Sequence, residues 1–212
     1  LNKKELLIFN SFKHISVKIQ NNLTFKIIST GNEFTKKHFF NPTNASYLES
    51  YLKSRNQKID KNIHIKDSQK LLEKELNNSK SNITIVIGGT GKSEDDFDFK
   101  NFKLLINGLN LKPGKPFKAF IKNKRIFLFF PGNPCSSFVL TNILINSLIL
   151  QFKFKKKLIF DDEIDIKKIE FNFNSLMRKS FLFGFIKDNQ DLKIFSNQES
   201  SNISNILKAN CL

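Results

Sequence analysis

The sequence predicts a three-layer α/β domain with a mainly parallel sheet, followed by a small β domain. Three observations carry this. Strand-like and helix-like segments alternate from Phe25 onward, the run Ile83–Ile87 is apolar without interruption, and beyond residue 155 the pattern turns to short strands. An uninterrupted apolar strand has to be covered on both faces, which a sheet with helices on each side provides. The 212 residues, 40% of them hydrophobic, suffice for one core plus a small appendage and exclude disorder as the main state.

Residues 25–29 form the first β-rich run, stopped by Thr30, Gly31 and Asn32. Residues 44–53 place Tyr47, Leu48, Tyr51 and Leu52 at helical spacing, and 62–65 read as a second short strand ending near Asp67. Ser68 is expected to N-cap a helix that carries Leu71, Leu72 and Leu76 on one face and stops in the cluster of Asn77, Asn78 and Ser79. A hairpin over 118–130 turns at Asn123, and an apolar helix follows Pro134 and runs towards Gln151. In the C-terminal part, 171–173 and 181–186 are the clearest strands. The expected organisation is a linker over 1–24, an α/β domain over 25–153 and a small β domain over 154–212. The chain begins with Leu1 rather than methionine and is read as a piece of something longer.

Lysine and arginine number 35 against 19 acidic residues, a formal charge of +16, but lysine is spread along the chain and reads first as a solvated surface. Two cysteines, Cys135 and Cys211, build no disulfide framework, so a reducing, cytoplasmic compartment is expected. His14, His38 and His64 are scattered, and His64 in a β run is read as packed or surface-exposed rather than as a ligand. The apolar run 138–152 is interrupted by Thr141, Asn142, Asn146 and Ser147 and reads as too short and too polar for a membrane span.

Functional loops in a parallel sheet lie past the carboxyl ends of the strands, and the glycines and prolines concentrate there. Gly88, Gly89, Thr90, Gly91, Lys92 and Ser93, followed by Glu94, Asp95 and Asp96, lack the spacing of a P-loop. They fit a loop that presents glycine N–H groups to a phosphate with a carboxylate nearby for magnesium, or else a solvated turn capping a helix that starts near Phe97. Pro131, Gly132, Asn133 and Pro134 precede a helix start whose Ser136 and Ser137 suit an anion, with Ser136 as a simple N-cap the other reading. Lys112, Pro113, Gly114, Lys115 and Pro116 repeat the Pro-Gly-x-Pro pattern with two cations added.

Taken in order, Ser29-Thr30-Gly31-Asn32-Glu33, Asn44, Asp67, Gly88-Gly89 with Asp96, and the two Pro-Gly loops resemble the molybdopterin-binding domain of the molybdopterin molybdenumtransferases, the MoeA/gephyrin family. Gln198-Glu199-Ser200 through Ala209-Asn210 resemble that family's small C-terminal β-barrel domain. The resemblance covers roughly residues 13–212 and implies a MogA-like α/β/α domain. It further implies insertion of molybdate into adenylylated molybdopterin with magnesium-dependent loss of the adenylyl group. Asp67, Asp96, Lys112 and Lys115 take catalytic positions by this likeness, with Asp67 and Asp96 at the metal. Thr30, Gly31, Glu33, Asn44, Gly88, Gly89, Gly91, Ser93, Pro131, Gly132, Asn133, Pro134 and Ser136 take positions around the pterin. The family also implies a homodimer in the full-length form and a molybdopterin adenylyltransferase as partner, and no membrane.

Gly108 and Phe183 stand where basic residues are common in that family, which keeps a second reading open, a pterin-binding accessory domain without catalysis. A third, a basic nucleic-acid-binding module, has only the charge behind it and predicts steeply salt-dependent binding.

Overall fold

The computed structural model describes residues 23–32, 42–88, 101–154, 168–170, 179–199 and 201–212. Strands β1 (Thr24–Thr30), β2 (Lys58–Ile65), β3 (Ile83–Ile87), β4 (Lys103–Asn107), β6 (Lys118–Lys122) and β7 (Arg125–Phe130) form one six-stranded sheet in the order β2-β1-β3-β7-β6-β4. The first four run parallel, and β6 and β4 add antiparallel at the edge. Strand β5 (Leu111–Lys112) leaves this sheet to pair with β9 (Lys179–Ser180).

The alternation of the strands fixes the layers. Consecutive residues point to opposite faces. Phe25, Ile27, Ile85, Leu128 and Phe130 therefore share one face, packed with Leu48 and Leu52 of helix α1 (Thr43–Ser54) and with Ile145 and Ile149. Ile28, Val86, Phe127 and Phe129 share the other face with Leu72 and Leu76 of helix α2 (Gln69–Asn77). The uninterrupted apolar run of β3 is buried at all five positions, as a central strand between two helical layers demands. Ser68 caps α2 as expected, its Oγ accepting from the Leu71 amide at 3.4 Å. The hairpin turns at Asn123 and Lys124, both with positive φ (50° and 61°), the geometry of a two-residue loop matched to strand twist.

The helix after Pro134 begins as α3 (Pro134–Leu140), widens into a π turn over Thr141–Ile145, and resumes as α4 (Asn146–Phe154). Asn142 explains part of the widening: its Nδ2 donates to the Phe138 carbonyl at 2.9 Å and to the Tyr47 hydroxyl at 2.9 Å, so a side chain competes for an acceptor of the helix. The stretch Pro134–Lys153 is long and apolar enough to cross a membrane by length and composition, contrary to the reading from its polar interruptions. Val139, Leu140, Ile145 and Ile149 in it are buried in the protein's own cores.

In the C-terminal part, β8 (Lys168–Glu170), β10 (Gly184–Ile186) and β11 (Asp191–Ile194) form a three-stranded sheet, and helix α5 (Ile203–Lys208) follows. The strand expected over 181–186 starts only at Gly184. Before it, the Gln198 side chain accepts from the Phe183 amide at 2.9 Å and donates to the Phe183 carbonyl at 2.8 Å, a carbonyl that also accepts from the Phe195 amide at 3.1 Å. Helix α5, absent from the sequence expectation, is capped by Asn202, whose Oδ1 accepts from the Ser204 amide at 3.2 Å. The strand expected over 171–173 and the helix start near Phe97 lie outside the described residues.

One ion pair joins α2 to the sheet. Lys26, 5% exposed on β1, donates its Nζ to Glu75 Oε2 at 2.6 Å and to the Glu75 carbonyl at 2.8 Å. The Lys26 hydrogen bond holds the Glu75 carboxyl below its usual range. A depressed carboxylate stabilises the fold above its unfolded pKa, about 4.3, and that contribution is lost as pH falls through the lower folded value. Glu75→Gln is expected to lower stability at pH 7 by about 1–3 kcal/mol, because it leaves a buried ammonium without its counter-charge. Urea unfolding at pH 7 and pH 3 checks this: the gap between wild type and variant should shrink at the acid end.

Candidate functional site

The chain leaves β1 towards β2 on one side through α1, then crosses back to β3 on the other side through α2. Such a reversal opens a crevice at the carboxyl ends of the two strands it separates, here β1 and β3. A cleft of about 360 Å³ lies there, lined by Ser29, Thr30 and Gly31 from the end of β1, Ile87 and Gly88 from the end of β3, and Asp67 past β2. The start of α1 supplies Pro42, Thr43, Asn44 and Ala45, and the loop after β7 supplies Gly132 and Pro134.

Each wall has a local cause. Gly88 adopts φ +90°, and a Cβ on it would come within 2.9 Å of the Thr30 carbonyl oxygen and 3.0 Å of Thr30 Oγ1. Only glycine lets the two strand ends approach this closely. The Gly88 amide donates to the Phe130 carbonyl at 3.1 Å, which ties the same turn to β7. Asn44 Nδ2 donates to the Gly132 carbonyl at 2.7 Å and so fastens α1 to the loop after β7. Thr30 Oγ1 is buried and has no hydrogen-bond partner among the described residues. A buried hydroxyl left unpaired costs free energy unless a ligand or water completes it.

Thr30, Gly31, Asn44, Asp67, Gly88, Gly132 and Pro134 are thus brought together from the positions singled out in the sequence. Glu33, Gly89, Gly91, Ser93 and Asp96 lie outside the described residues. Pro131 and Asn133 flank the lining residue Gly132, and the Pro131 carbonyl accepts from Ser137 Oγ at 3.0 Å. Ser136 is buried in the first turn of α3 and is not among the residues lining the cleft; the N-cap of that helix is Asn133, not Ser136. Lys112 and Lys115 are exposed and also stand apart from the cleft lining, while Gly114 between them packs towards Leu140.

Among the described residues, no group of three or more His, Cys, Asp or Glu side chains is placed to hold a metal ion. Asp67 is the one carboxylate lining the cleft among them. Magnesium needs only one or two carboxylates when substrate phosphates and waters complete its shell, so this donor set suits a magnesium ion that arrives with a phosphorylated ligand. Burial pushes the Cys135 thiol up, and its Sγ lies 3.3 Å from the Asn202 carbonyl, the environment of a packed rather than a reactive thiol. The residue that sequence reasoning missed is His64. Its Nδ1 lies 2.9 Å from Ser29 Oγ and its Nε2 lies 2.9 Å from the Gly31 carbonyl, both groups of cleft-lining residues.

A family model described as "Probable molybdopterin binding domain" matches residues 26–151, more than half of the chain. The chain belongs to this family. Among curated proteins, "Putative molybdopterin biosynthesis protein MJ0666" from Methanocaldococcus jannaschii is 27% identical over 95 residues, which cover 42% of this chain and 24% of that protein. Among solved structures, the molybdopterin biosynthesis moeA protein from Pyrococcus horikoshii OT3 superposes with a TM-score of 0.75 at 18% identity, covering 99% of this chain and 54% of that one. A molybdenum cofactor biosynthesis protein B structure has a TM-score of 0.50 at 12% identity, covering 65% of this chain and 98% of the other. These likenesses carry the fold, including the C-terminal β part within the archaeal match. The chain spans about half the length of that solved structure and about a quarter of the curated relative.

Proposed function

We propose that the cleft at the ends of β1 and β3 binds molybdopterin, and that the chain acts in molybdenum cofactor assembly as the C-terminal portion of a molybdopterin molybdenumtransferase. The observation that carries the binding reading is the pairing of Gly88, which opens the floor, with the buried and unpartnered Thr30 hydroxyl beside it. A family of molybdopterin-binding domains matches across this same region. In the reaction, molybdate enters the dithiolene of adenylylated molybdopterin and the adenylyl group is lost. Thr30, Gly31, Asn44, Gly88 and Gly132, with Pro134, shape and hold the pterin end, and Asp67, joined by Asp96, holds magnesium. A magnesium ion held by these carboxylates would supply neutralisation of the phosphate charge. Lys112 and Lys115 are assigned to an oxyanion, and Glu33, Gly89, Gly91, Ser93, Pro131, Asn133 and Ser136 to supporting positions. A homodimer of the full-length protein, supply of substrate by a molybdopterin adenylyltransferase and a cytoplasmic location complete the proposal.

A second reading, binding without turnover, is favoured by Phe183. This residue is 3% exposed inside an apolar cluster with Cys135 and Val139, so it supplies no charge where the resemblance would expect one.

Calorimetric titration with molybdopterin and its adenylylated form, with and without magnesium, tests both. Asp67→Ala is expected to weaken the adenylylated ligand about tenfold, or about 1.4 kcal/mol, in the presence of magnesium and to leave molybdopterin itself unchanged. Binding by wild type with no molybdate insertion after the N-terminal domains are supplied would leave the accessory reading. Failure to bind either pterin, together with salt-sensitive binding to RNA, would sink both.

A further inference from the structure

We propose that His64 is a positioning residue of the cleft, holding the turn at the end of β1 in the shape that receives the ligand. The parallel pairing of β1 and β2 sets Ser29 directly opposite His64. From that place the imidazole reaches both sides of the turn, with Nδ1 at 2.9 Å from Ser29 Oγ and Nε2 at 2.9 Å from the Gly31 carbonyl. A carbonyl oxygen only accepts, so Nε2 carries a proton, and Nδ1 faces the Ser29 hydroxyl, for which it is the nearer acceptor at 2.9 Å against the Ile63 carbonyl at 3.4 Å. The two bonds leave the ring one orientation. The Gly31 amide is held from the same strand, donating to the Ile65 carbonyl at 3.3 Å, and the Asp67 amide donates to Asn32 Oδ1 at 3.2 Å. The Ser29–Asn32 turn is thus gripped by the Ile65 carbonyl at the end of β2, by the Asp67 amide just past it, and by the His64 side chain at two more points.

What the side chain adds is control of a single acceptor. Gly31 lines the cleft, and a carbonyl free to swing there would oppose an anionic ligand. Tied to His64, it is held in one place, and the adjacent Thr30 hydroxyl, buried and without a partner among the described residues, is the polar group of that turn left to meet the ligand. An interaction of this kind is made before the ligand arrives, so it acts on affinity by pre-organisation. The proposal rests on the cleft being the pterin site.

The test combines imidazole ¹⁵N spectra with molybdopterin titration on the full chain. The spectrum is expected to show the Nε2-protonated ring, with the Nδ1 signal displaced by Ser29→Ala. His64→Ala should weaken molybdopterin about five- to tenfold, the fold-change of one lost hydrogen bond. His64→Gln, which can still donate to the Gly31 carbonyl, should restore affinity to within about twofold, whereas His64→Asn, which can reach only Ser29, should not. An Nδ1-protonated ring, wild-type affinity in His64→Ala, or equal loss in the Gln and Asn variants would overturn the role of His64 while leaving the pterin reading intact. Absence of binding in the wild type would remove the pterin reading and this role with it.

Discussion

Gly88→Ala is expected to destroy the cleft and to lower the stability of the α/β domain measurably. The backbone there sits at φ +90°, a region in which an alanine costs about 1–3 kcal/mol. The added methyl would also stand 2.9 Å from the Thr30 carbonyl oxygen and 3.0 Å from its hydroxyl, and the nearer of these is backbone and cannot rotate away. Retreat of the Gly88 backbone is opposed by its hydrogen bond to the Phe130 carbonyl. The methyl therefore occupies space between two strand ends that a ligand would use, and molybdopterin affinity should fall about a hundredfold or more, equivalent to about 2.7 kcal/mol. Gly132→Ala is the matched control for stability. Its Cβ would meet only the Gly88 Cα at 3.6 Å, an ordinary contact, so its urea midpoint should stay within about 0.5 kcal/mol of wild type. Equal stability loss in the two variants would show that the special conformation of Gly88 is not what holds the floor of the cleft.

The elements legible in the sequence are those whose signals are local. Strand β3 announced itself by five apolar residues in a row, α2 by Ser68 ahead of leucines at helical spacing, and the hairpin by Asn123 between two β runs. The glycine at position 88 is singled out in the sequence because it directly follows a buried strand, but its amide donates to the Phe130 carbonyl rather than being left for a phosphate, and what requires glycine there is the close approach of Thr30. What stayed hidden depends on contacts across long stretches of chain. Lys112 and Lys115 belong to the same loop pattern as Gly132 and Pro134, yet β5, which ends on Lys112, pairs with β9 rather than with the main sheet, and both lysines stand apart from the cleft lining. His64 looked like any histidine in a half-buried strand until its pairing set it opposite Ser29. Residues 181–183 looked like a strand, but their hydrogen bonds go to scattered partners, the Phe181 amide to the Lys112 carbonyl, the Phe183 amide to a glutamine 15 residues away, and the Phe183 carbonyl to that glutamine and the Phe195 amide. Strand β4 was missed because all five of its residues are exposed at the sheet edge, which erases the alternation that marks a strand with one face in a core.

The same glutamine clamp leads to the second large effect. Phe183 is 3% exposed in the cluster that joins the C-terminal part to α3, where it meets Cys135, Val139 and the Phe138 ring at a centroid distance of 6.0 Å. Phe183→Ala removes most of a buried aromatic side chain and should cost about 3–5 kcal/mol. Gln198→Ala leaves the Phe183 amide without its acceptor, while the Phe183 carbonyl keeps the Phe195 amide at 3.1 Å, and should cost about 1–3 kcal/mol; because the two residues touch, the double variant should fall short of the sum. The chain offers a way to see where that loss is felt. It has no tryptophan and two tyrosines, Tyr47 and Tyr51, both on α1, so tyrosine fluorescence reports on the α/β part alone while far-ultraviolet circular dichroism reports on the whole. Since the cluster around Phe183 includes residues of α3 itself, both signals should shift together to lower urea in Phe183→Ala. A fluorescence transition that stays in place while the dichroism splits would mean that residues 154–212 unfold by themselves, as an autonomous domain does. A loss under about 1 kcal/mol would mean that the apolar contact with α3 contributes little, and that the position tolerates a charged side chain such as arginine.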